Sequence, residues 1–348
     1  MNKPRHFQRL SLSGSPLPAD RSSSLSPSIL SAVKLLLWLL ASLAPLTHAQ
    51  DRLFGILGKS AADPNFVAVA EGCDREARQH GDRCELLGDS GSADFRLQVR
   101  ALDRIIKQGR HHALAISVTH SENIARALLA ADIPIITFDS PFQPAQAALS
   151  RAYVGVDNRA MGETLAQLAR ERHPQGGTLC LMTSPLDPNL AERIGGLRAA
   201  LSGDPDYPPD KRLQGEGGWR ENPRCPWYTG DHLARALFQL SITLRTLDVD
   251  AFISVGHWPV VDPARYRALL AEHADKVRDR KVQLLFAVGS MNPDYWKLLE
   301  DGLVQGMVSI DFDAMGKACY HSMRSLLDGN PGPKAVHTPV RALRSDTP

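Results

Sequence analysis

The chain has 348 residues, of which 43% are apolar, 22% charged and 6% aromatic, which excludes a disordered or collagen-like protein. Residues 1–49 contain five Lys or Arg residues and one Asp, so the formal charge of +2 leaves −2 for residues 50–348. A nearly neutral body of this length, without a basic stripe, is large enough for two packed domains and argues against a nucleic-acid partner.

The N-terminal segment has the pattern of a secretory signal peptide. Lys34 precedes a ten-residue apolar run, 35–44, and the segment closes with Thr47-His48-Ala49. The run is too short for a membrane-spanning helix, which needs about 20 apolar residues. We therefore expect residues 1–49 to be a signal peptide that is cleaved near Ala49, with export of a soluble protein to the periplasm. An uncleaved anchor and a start codon downstream of Met1 remain alternatives.

After residue 50, short apolar runs typical of β-strands alternate with windows of helical periodicity. The runs are near-continuously apolar, as expected for parallel strands that are covered on both faces. Their number favours two parallel sheets with helices on both faces, an α/β architecture of two lobes. The predicted strands are Leu53–Leu57, Cys84–Leu87, Ala113–Val118, Ile133–Phe138, Ala152–Val156, Thr178–Met182, Arg212–Glu216, Ala251–Val255, Val282–Val288 and Met307–Ile310.

The five cysteines are interpreted for an oxidising compartment, where disulfide bonds form. Cys73 lies on a predicted helix and Cys84 starts the next predicted strand, so these two form the first expected pair. Cys180 lies in a strand-like run and Cys225 follows the next one, which gives the second pair. Cys319 lies on an apolar helix face and is expected to be a buried free thiol. Small buried hydrophobic residues are the alternative for all five.

Polar and aromatic residues come directly after most of the predicted strands, where ligands bind in parallel sheets. Planar polar side chains can bond pairs of hydroxyl groups, and aromatic faces can cover a ring, so this mix suits a small polyhydroxylated ligand. Asp139 and Asp157 have an alternative role as helix caps. The segments after the strands are Asp63–Phe66, Thr119–His120, Asp139–Ser140, Asp157–Asn158, Ser184, Gly256–Trp258, Gly289–Met291 and Asp311–Asp313.

Four segments in the same order and spacing resemble the periplasmic sugar-binding proteins of the ribose/galactose-binding class, over about residues 54–341. The segment Asp63–Phe66 resembles the family's loop after the first strand, and Ala131–Asp139 resembles its Ile-Pro-Val-Ile strand. Val154–Gly162 resembles the crossing into the second lobe, and Ala191–Leu197 resembles the family's Glu-Arg-x-x-Gly helix start.

The resemblance implies the type I periplasmic binding protein fold, with two Rossmann-like lobes joined by three hinge crossings. It places the first lobe in residues 50–156 with 312–343, the second lobe in 157–311, and a tail in 344–348. The crossings are expected near Asp157, Ser290 and Asp311. The ligand contacts that it implies by position are Asp63, Asn65, Phe66, Asp139, Asp157, Asn158, Arg193 and Asp311.

The chain also departs from the sugar-binding pattern at two places. Gly256-His257, followed by Trp258, stands where these proteins usually have an Asn-Asp pair, and Ser290 stands where they often have Asp. We expect His257, Trp258 and Ser290 to take over the ligand contacts there. Packing of Trp258 beneath its loop is the alternative.

The resemblance implies a solute receptor that delivers a sugar or polyol to an ABC-type membrane permease. A sensor that feeds a chemoreceptor or a histidine kinase is the alternative role. We expect a monomer without catalytic residues, cofactor or metal. Gly58-Lys59-Ser60 lacks the upstream glycine of a phosphate-binding loop, and the sequence contains no Gly-x-Ser-x-Gly elbow of a hydrolase. The histidines are scattered along the chain, which argues against a metal site. A DNA-binding regulator of the same fold is excluded, since no basic helix-turn-helix precedes the first strand.

Overall fold

The computed structural model describes residues 51–345, apart from residues 92, 130, 185–186 and 274–281. The expected signal peptide lies outside the described residues. Within them, no helix combines the length and the apolar character that crossing a membrane would need.

The first lobe is a parallel sheet with helices on its faces. Its strands, among the described residues, are β1 (Leu53–Leu57), β2 (Arg83–Leu87), β3 (Ala113–Ile116), β4 (Ile135–Phe138), β5 (Tyr153–Val156) and β12 (Ala335–Thr338). Its helices are α1 (Pro64–Arg78), α2 (Phe95–Gln108), α3 (Ser121–Leu128) and α9 (Phe312–Leu327). The strand order is β2-β1-β3-β4-β5-β12. Strands β3 and β4 are buried at every residue, which is why they read as continuous apolar runs.

The second lobe repeats this plan and adds one antiparallel edge strand. Its strands in the described part are β6 (Gly177–Thr183), β7 (Trp219–Glu221), β8 (Trp227–Tyr228), β9 (Ala251–Ser254), β10 (Gln283–Val288), β11 (Gly306–Ile310) and β13 (Val340–Arg344). Its helices are α4 (Asn158–Arg172), α5 (Pro188–Ser202), α6 (Leu233–Thr246), α7 (Pro263–Glu272) and α8 (Pro293–Glu300). The strand order is β13-β11-β10-β9-β6-β7, and β8 pairs with β6; β13 runs antiparallel to β11.

The chain crosses between the lobes at Asp157, Asp311 and Pro339. Asp157 joins β5 to α4, Asp311 joins β11 to α9, and Pro339 alone separates β12 from β13. The crossing predicted near Ser290 is wrong, because Ser290 lies between β10 and α8, which both belong to the second lobe. The predicted boundary at residue 343 also differs. Residues 340–344 form β13, which pairs with β11 and so belongs to the second lobe. Without β13, the outer edge of β11 would carry unpaired backbone N–H and C=O groups.

Each lobe contains one pair of helices whose backbones touch through glycine. A Cβ atom on Gly316 of α9 would lie less than 3.0 Å from the carbonyl oxygen of Val69 on α1. In the second lobe, a Cβ atom on Gly162 of α4 would collide in the same way with the carbonyl oxygen of Arg193 on α5. The helix pairs α1–α9 and α4–α5 are therefore in close backbone contact at these glycines.

The cysteine predictions are confirmed. Disulfide bonds join Cys73 to Cys84 and Cys180 to Cys225, and Cys319 is a buried free thiol. Each bond ties a helix or a loop to a strand of its own lobe. Burial raises the pKa of the Cys319 thiol, so this side chain stays neutral and behaves as a small apolar residue.

One predicted strand is wrong and several strands were not predicted. Residues 212–216 form no strand; only Gln214 makes an isolated bridge, to Arg220 of β7. The glycines at positions 217 and 218 adopt left-handed backbone conformations, which end the extended chain: φ is +56° at Gly217 and +82° at Gly218. Strands β7, β8, β12 and β13 were not predicted from the sequence.

Candidate functional site

A cavity of about 520 Å³ lies between the two lobes, beyond the carboxyl ends of their strands. This is the edge at which parallel α/β sheets bind ligands. Residues of both lobes line the cavity, so movement of one lobe against the other changes its size. Seven of the predicted ligand contacts belong to the lining: Asp63, Asn65, Phe66, Asp139, Arg193, His257 and Trp258.

Arg193 is the buried cation of this cavity. It projects from α5, is 8% exposed, and is held by two protein acceptors. Its Nε donates to Oδ1 of Asn158 at 2.8 Å, and its Nη1 donates to the carbonyl oxygen of Val255 at 2.9 Å. Desolvation lowers the pKa of Arg193, and the carboxylates of Asp139 and Asp187 oppose this effect. Among the described residues no acceptor contacts Nη2, so this nitrogen can donate to ligand oxygens.

Asp139 supplies the main acceptor on the first lobe. It comes after β4 with φ +56°, a left-handed conformation that Asp tolerates better than most residues. Its Oδ2 accepts from the hydroxyl group of Ser117 at 2.9 Å and lies 3.4 Å from Nζ of Lys59. In the described part of the chain no donor contacts Oδ1. Oδ1 can therefore accept from a ligand hydroxyl group while Lys59 holds the carboxylate in place through Oδ2.

Aromatic side chains form apolar walls of the cavity on both lobes. Phe66 of α1 packs edge-on against Phe138 and remains 5% exposed toward the cavity. On the second lobe, Nε1 of Trp258 donates to Oδ1 of Asp231 at 3.0 Å, which fixes the indole ring. The same ring leaves no room for a side chain at position 256, since a Cβ atom there would lie 2.6 Å from it. Trp258 thus packs over its own loop and also lines the cavity.

His257 is a neutral donor or acceptor at the second-lobe wall. Burial is the main cause that lowers its pKa, and Arg193 acts in the same direction. The carboxylates of Asp63 and Asp231 oppose the shift without cancelling it. A neutral imidazole can donate from one nitrogen and accept at the other, so it suits a hydroxyl group.

Four predicted ligand contacts do not line the cavity and make other contacts instead. Oδ1 of Asp157 and Oδ1 of Asp311 cap helices α4 and α9 by accepting from backbone N–H groups. Asn158 is buried and positions Arg193. The side chain of Ser290 lies outside the lining, and its backbone N–H donates to Oδ1 of Asn65 at 3.2 Å. Asp157 therefore acts as a helix cap, which was the alternative role considered for it and for Asp139, whereas Asp139 caps no helix.

Several lining residues were not predicted, although the sequence carries a signal for two of them. The tripeptide Asp63-Pro64-Asn65 recurs as Asp187-Pro188-Asn189, and each copy starts a helix with its Asp as N-cap. Both asparagines reach the opposite lobe: Asn65 accepts from Ser290, and Nδ2 of Asn189 donates to the carbonyl oxygen of Asp139 at 2.9 Å. The remaining unpredicted polar residues are Lys59, Ser60, Ser90 and Asp231.

A model of the periplasmic binding protein domain matches residues 54–331, which is most of the chain. The chain belongs to the periplasmic binding protein family. Members of this family bind solutes rather than catalyse reactions, in agreement with the expectation that the chain is not an enzyme. Among the described residues, no group of three or more His, Cys, Asp or Glu side chains could hold a metal ion. No curated protein matches the chain significantly.

Solved structures share the type I periplasmic binding protein fold with this family member. A solute-binding protein of an ABC transporter from Burkholderia graminis, in complex with D-arabinose, is 23% identical with a TM-score of 0.66. The alignment covers 86% of this chain and 98% of that one. A similar protein from Actinobacillus succinogenes with bound D-allose is 16% identical, with a TM-score of 0.69 and coverages of 85% and 98%.

A third similar structure belongs to an assembly of two different proteins. A chain of the XylFII–LytSN complex is 14% identical, with a TM-score of 0.63 and coverages of 85% and 98%. At these identities the similar structures establish the fold of the chain, and the side chains of its own cavity must carry any argument about its ligand.

Proposed function

We propose that this chain is a periplasmic receptor that captures a sugar or polyol between its lobes and delivers it to an ABC-type permease. The observation that carries the proposal is the combination in one interlobe cavity of a buried guanidinium, carboxylates and aromatic walls. The predicted signal peptide, cleaved near Ala49, would export the chain, which we expect to act as a monomer.

The chemistry of the cavity favours a neutral ligand with many hydroxyl groups. Nη2 of Arg193 offers a charged donor, and Oδ1 of Asp139 offers an acceptor on the facing lobe. Neither atom has a protein partner among the described residues. Phe66 and Trp258 add apolar faces that can cover the C–H faces of a ring. Such pockets combine mostly apolar walls with a few convergent polar groups.

The two lobes give the receptor its means of signalling occupancy. A ligand that contacts Asp139 and Arg193 together binds the closed arrangement more tightly than an open one. It therefore shifts the population toward closure. The reciprocal hydrogen bonds of Asn65 and Asn189 to the opposite lobe would add to the stability of the closed arrangement. A membrane partner can then distinguish the loaded receptor from the empty one by its shape.

A thermal-shift screen of the chain from Gln50 onward tests the ligand class. The panel contains sugars, polyols, furanones, amino acids and nucleosides. A specific ligand at 100 times its Kd adds about 2.7 kcal/mol to the free energy of unfolding and raises Tm by several degrees. We expect a hit among sugars or polyols. A hit only among amino acids or nucleosides would overturn the assignment of the ligand class.

The sensor role is the second candidate, and the similarity to a chain of the XylFII–LytSN complex is the observation in its favour. Uptake of the radiolabelled ligand by a strain without the gene separates the two roles. Loss of uptake is expected for a transport receptor. Normal uptake together with loss of a ligand-dependent transcriptional response would instead assign the chain to sensing.

A further inference from the structure

A second, larger space adjoins the interlobe cavity. This outer chamber has a volume of about 840 Å³ and is lined by residues 93–96, 118–122 and 140–146 of the first lobe, and by residues 187–189 and 231 of the second. Not every residue within these ranges contributes. Lys59, Asp187, Asn189 and Asp231 line both spaces, so the two spaces adjoin one another. A ligand bound at Arg193 that extends toward these shared residues would reach the outer chamber.

An aromatic pair forms one surface of the outer chamber. The rings of Phe95 and His120 lie with their centroids 5.3 Å apart at an angle of 45°. The guanidinium of Arg96 lies 4.7 Å from the centre of the Phe95 ring and supports it. Phe95 starts α2, is only half-buried, and does not line the inner cavity. The pair offers a stacking surface of the kind that Phe66 and Trp258 provide in the inner cavity.

The polar groups of the outer chamber are available to a ligand. Nδ2 of Asn123 lies 3.1 Å from Nδ1 of His120 and can only donate, so Nδ1 is the acceptor in this contact. Nε2 of His120 has no partner among the described residues and can contact a ligand. The side chains of Glu122, Gln143 and Gln146 also line the chamber. Among the described residues these three side chains make no hydrogen bond or ion pair, and each can bond adjacent hydroxyl groups.

We infer that the ligand has at least two sugar units, with one unit held at Arg193 and a second stacked on Phe95 and His120 in the outer chamber. This inference rests on the proposed function. The inner cavity alone lies within the usual range of about 300–1,000 Å³ for a small ligand, so the outer chamber is not needed for one sugar ring. Its combination of aromatic faces with carboxamide, carboxylate and imidazole groups repeats the chemistry of the inner cavity.

Isothermal titration calorimetry with matched sugars tests the inference. The probes are glucose with maltose, cellobiose and trehalose, galactose with lactose and melibiose, and xylose with xylobiose. We expect one disaccharide to bind at least tenfold more tightly than its constituent monosaccharide. Phe95→Ala should weaken the binding of that disaccharide about three- to tenfold and leave the monosaccharide unaffected. Arg100→Ala, on the same helix but outside the chamber, is the control and should change neither affinity.

The exposed residue His120 supplies a second variant in case Phe95→Ala does not fold. His120→Ala should weaken disaccharide binding in the same selective way. Equal affinities for disaccharides and monosaccharides, or disaccharide binding that neither variant weakens, would overturn the inference and leave the proposed function intact. Failure of every sugar of either size to bind would overturn the proposed function and this inference together.

Discussion

Replacement of Arg193 by alanine tests the centre of the site. The side chain is 8% exposed, its Nε and Nη1 are held by Asn158 and by the carbonyl oxygen of Val255, and its Nη2 has no acceptor among the described residues. The variant would remove the charged donor from the cavity and would leave the carboxylate of Asp139 facing the ligand alone. We therefore expect both the affinity for the ligand and the free energy of unfolding to decrease.

The magnitude depends on the number of charge-assisted hydrogen bonds. Each such bond contributes about 1.5–3 kcal/mol in a desolvated place. Loss of one or two bonds to the ligand should cost about 2–5 kcal/mol of binding, a decrease in affinity of about 30- to 5,000-fold. The two protein acceptors left without Arg193 should lower the free energy of unfolding by about 1–3 kcal/mol each.

Calorimetry with the ligand from the thermal-shift screen measures the first effect, and urea unfolding of the ligand-free protein measures the second. Arg159→Ala is the matched control. Arg159 lies beside Asn158 in the chain, is exposed, and bonds Glu163 and the carbonyl oxygen of Pro205 outside the cavity. The control should bind the ligand with unchanged affinity. Arg193→Lys keeps the charge without the planar fork and should retain only part of the affinity.

Unchanged affinity in folded Arg193→Ala would refute this reasoning and remove Arg193 from the ligand contacts. An equal loss of affinity in Arg159→Ala would show that the effect comes from general damage to the second lobe.

Three further predictions concern stability and can be checked by urea unfolding. Cys180→Ala together with Cys225→Ala should lower the free energy of unfolding by about 4 kcal/mol, and removal of the Cys73–Cys84 bond should lower it by about 3 kcal/mol. The difference arises because Cys180 and Cys225 lie 45 residues apart, whereas Cys73 and Cys84 lie 11 apart. Equal losses would contradict the loop-entropy account. Gly316→Ala should cost at least about 1–3 kcal/mol because its methyl group meets backbone, whereas Gly332→Ala, which meets nothing, should change stability by less than about 0.5 kcal/mol. Burial holds the pKa of His257 below its ordinary value of 6.5. As the pH falls below 6.5, His257 therefore binds a proton in the unfolded chain more readily than in the folded chain, and the free energy of unfolding decreases. The wild type should therefore lose more stability than His257→Gln between about pH 7.5 and about pH 5.5, and a larger loss in the variant would reverse the assigned sign.

The fold was predictable where strands are buried on both faces. Strands such as Ala113–Ile116 have no polar face, so burial leaves a continuous apolar run in the sequence. Edge strands leave no such trace, and Ala335–Thr338 is mostly exposed or partly buried. The strand predicted at 212–216 failed for a local reason that the glycines at positions 215, 217 and 218 could have indicated.

The site was predictable only in part, because identical residue types take different roles in different local structures. Asp139 and Asp157 both come directly after parallel strands. A helix begins directly after Asp157, which turns its carboxylate onto the backbone, whereas no helix begins at Asp139. Asp187 and Asn189 could have been found from the repeated Asp-Pro-Asn tripeptide. Lys59 and Asp231 reach the cavity through tertiary packing that no local pattern encodes.

The single residue at the third crossing limits how the two lobes can move. Thr338 ends a strand of one sheet and Val340 begins a strand of the other, so Pro339 is the whole tether. Consecutive Cα atoms are about 3.8 Å apart, and a tether of this length permits rotation but no separation. The other crossings leave from β5 and β11, which neighbour these edge strands, so all three lie along one side and define an axis. Spin labels on the far edges, at β2 and β7, should therefore report large changes in distance on ligand binding, and labels beside Pro339 almost none.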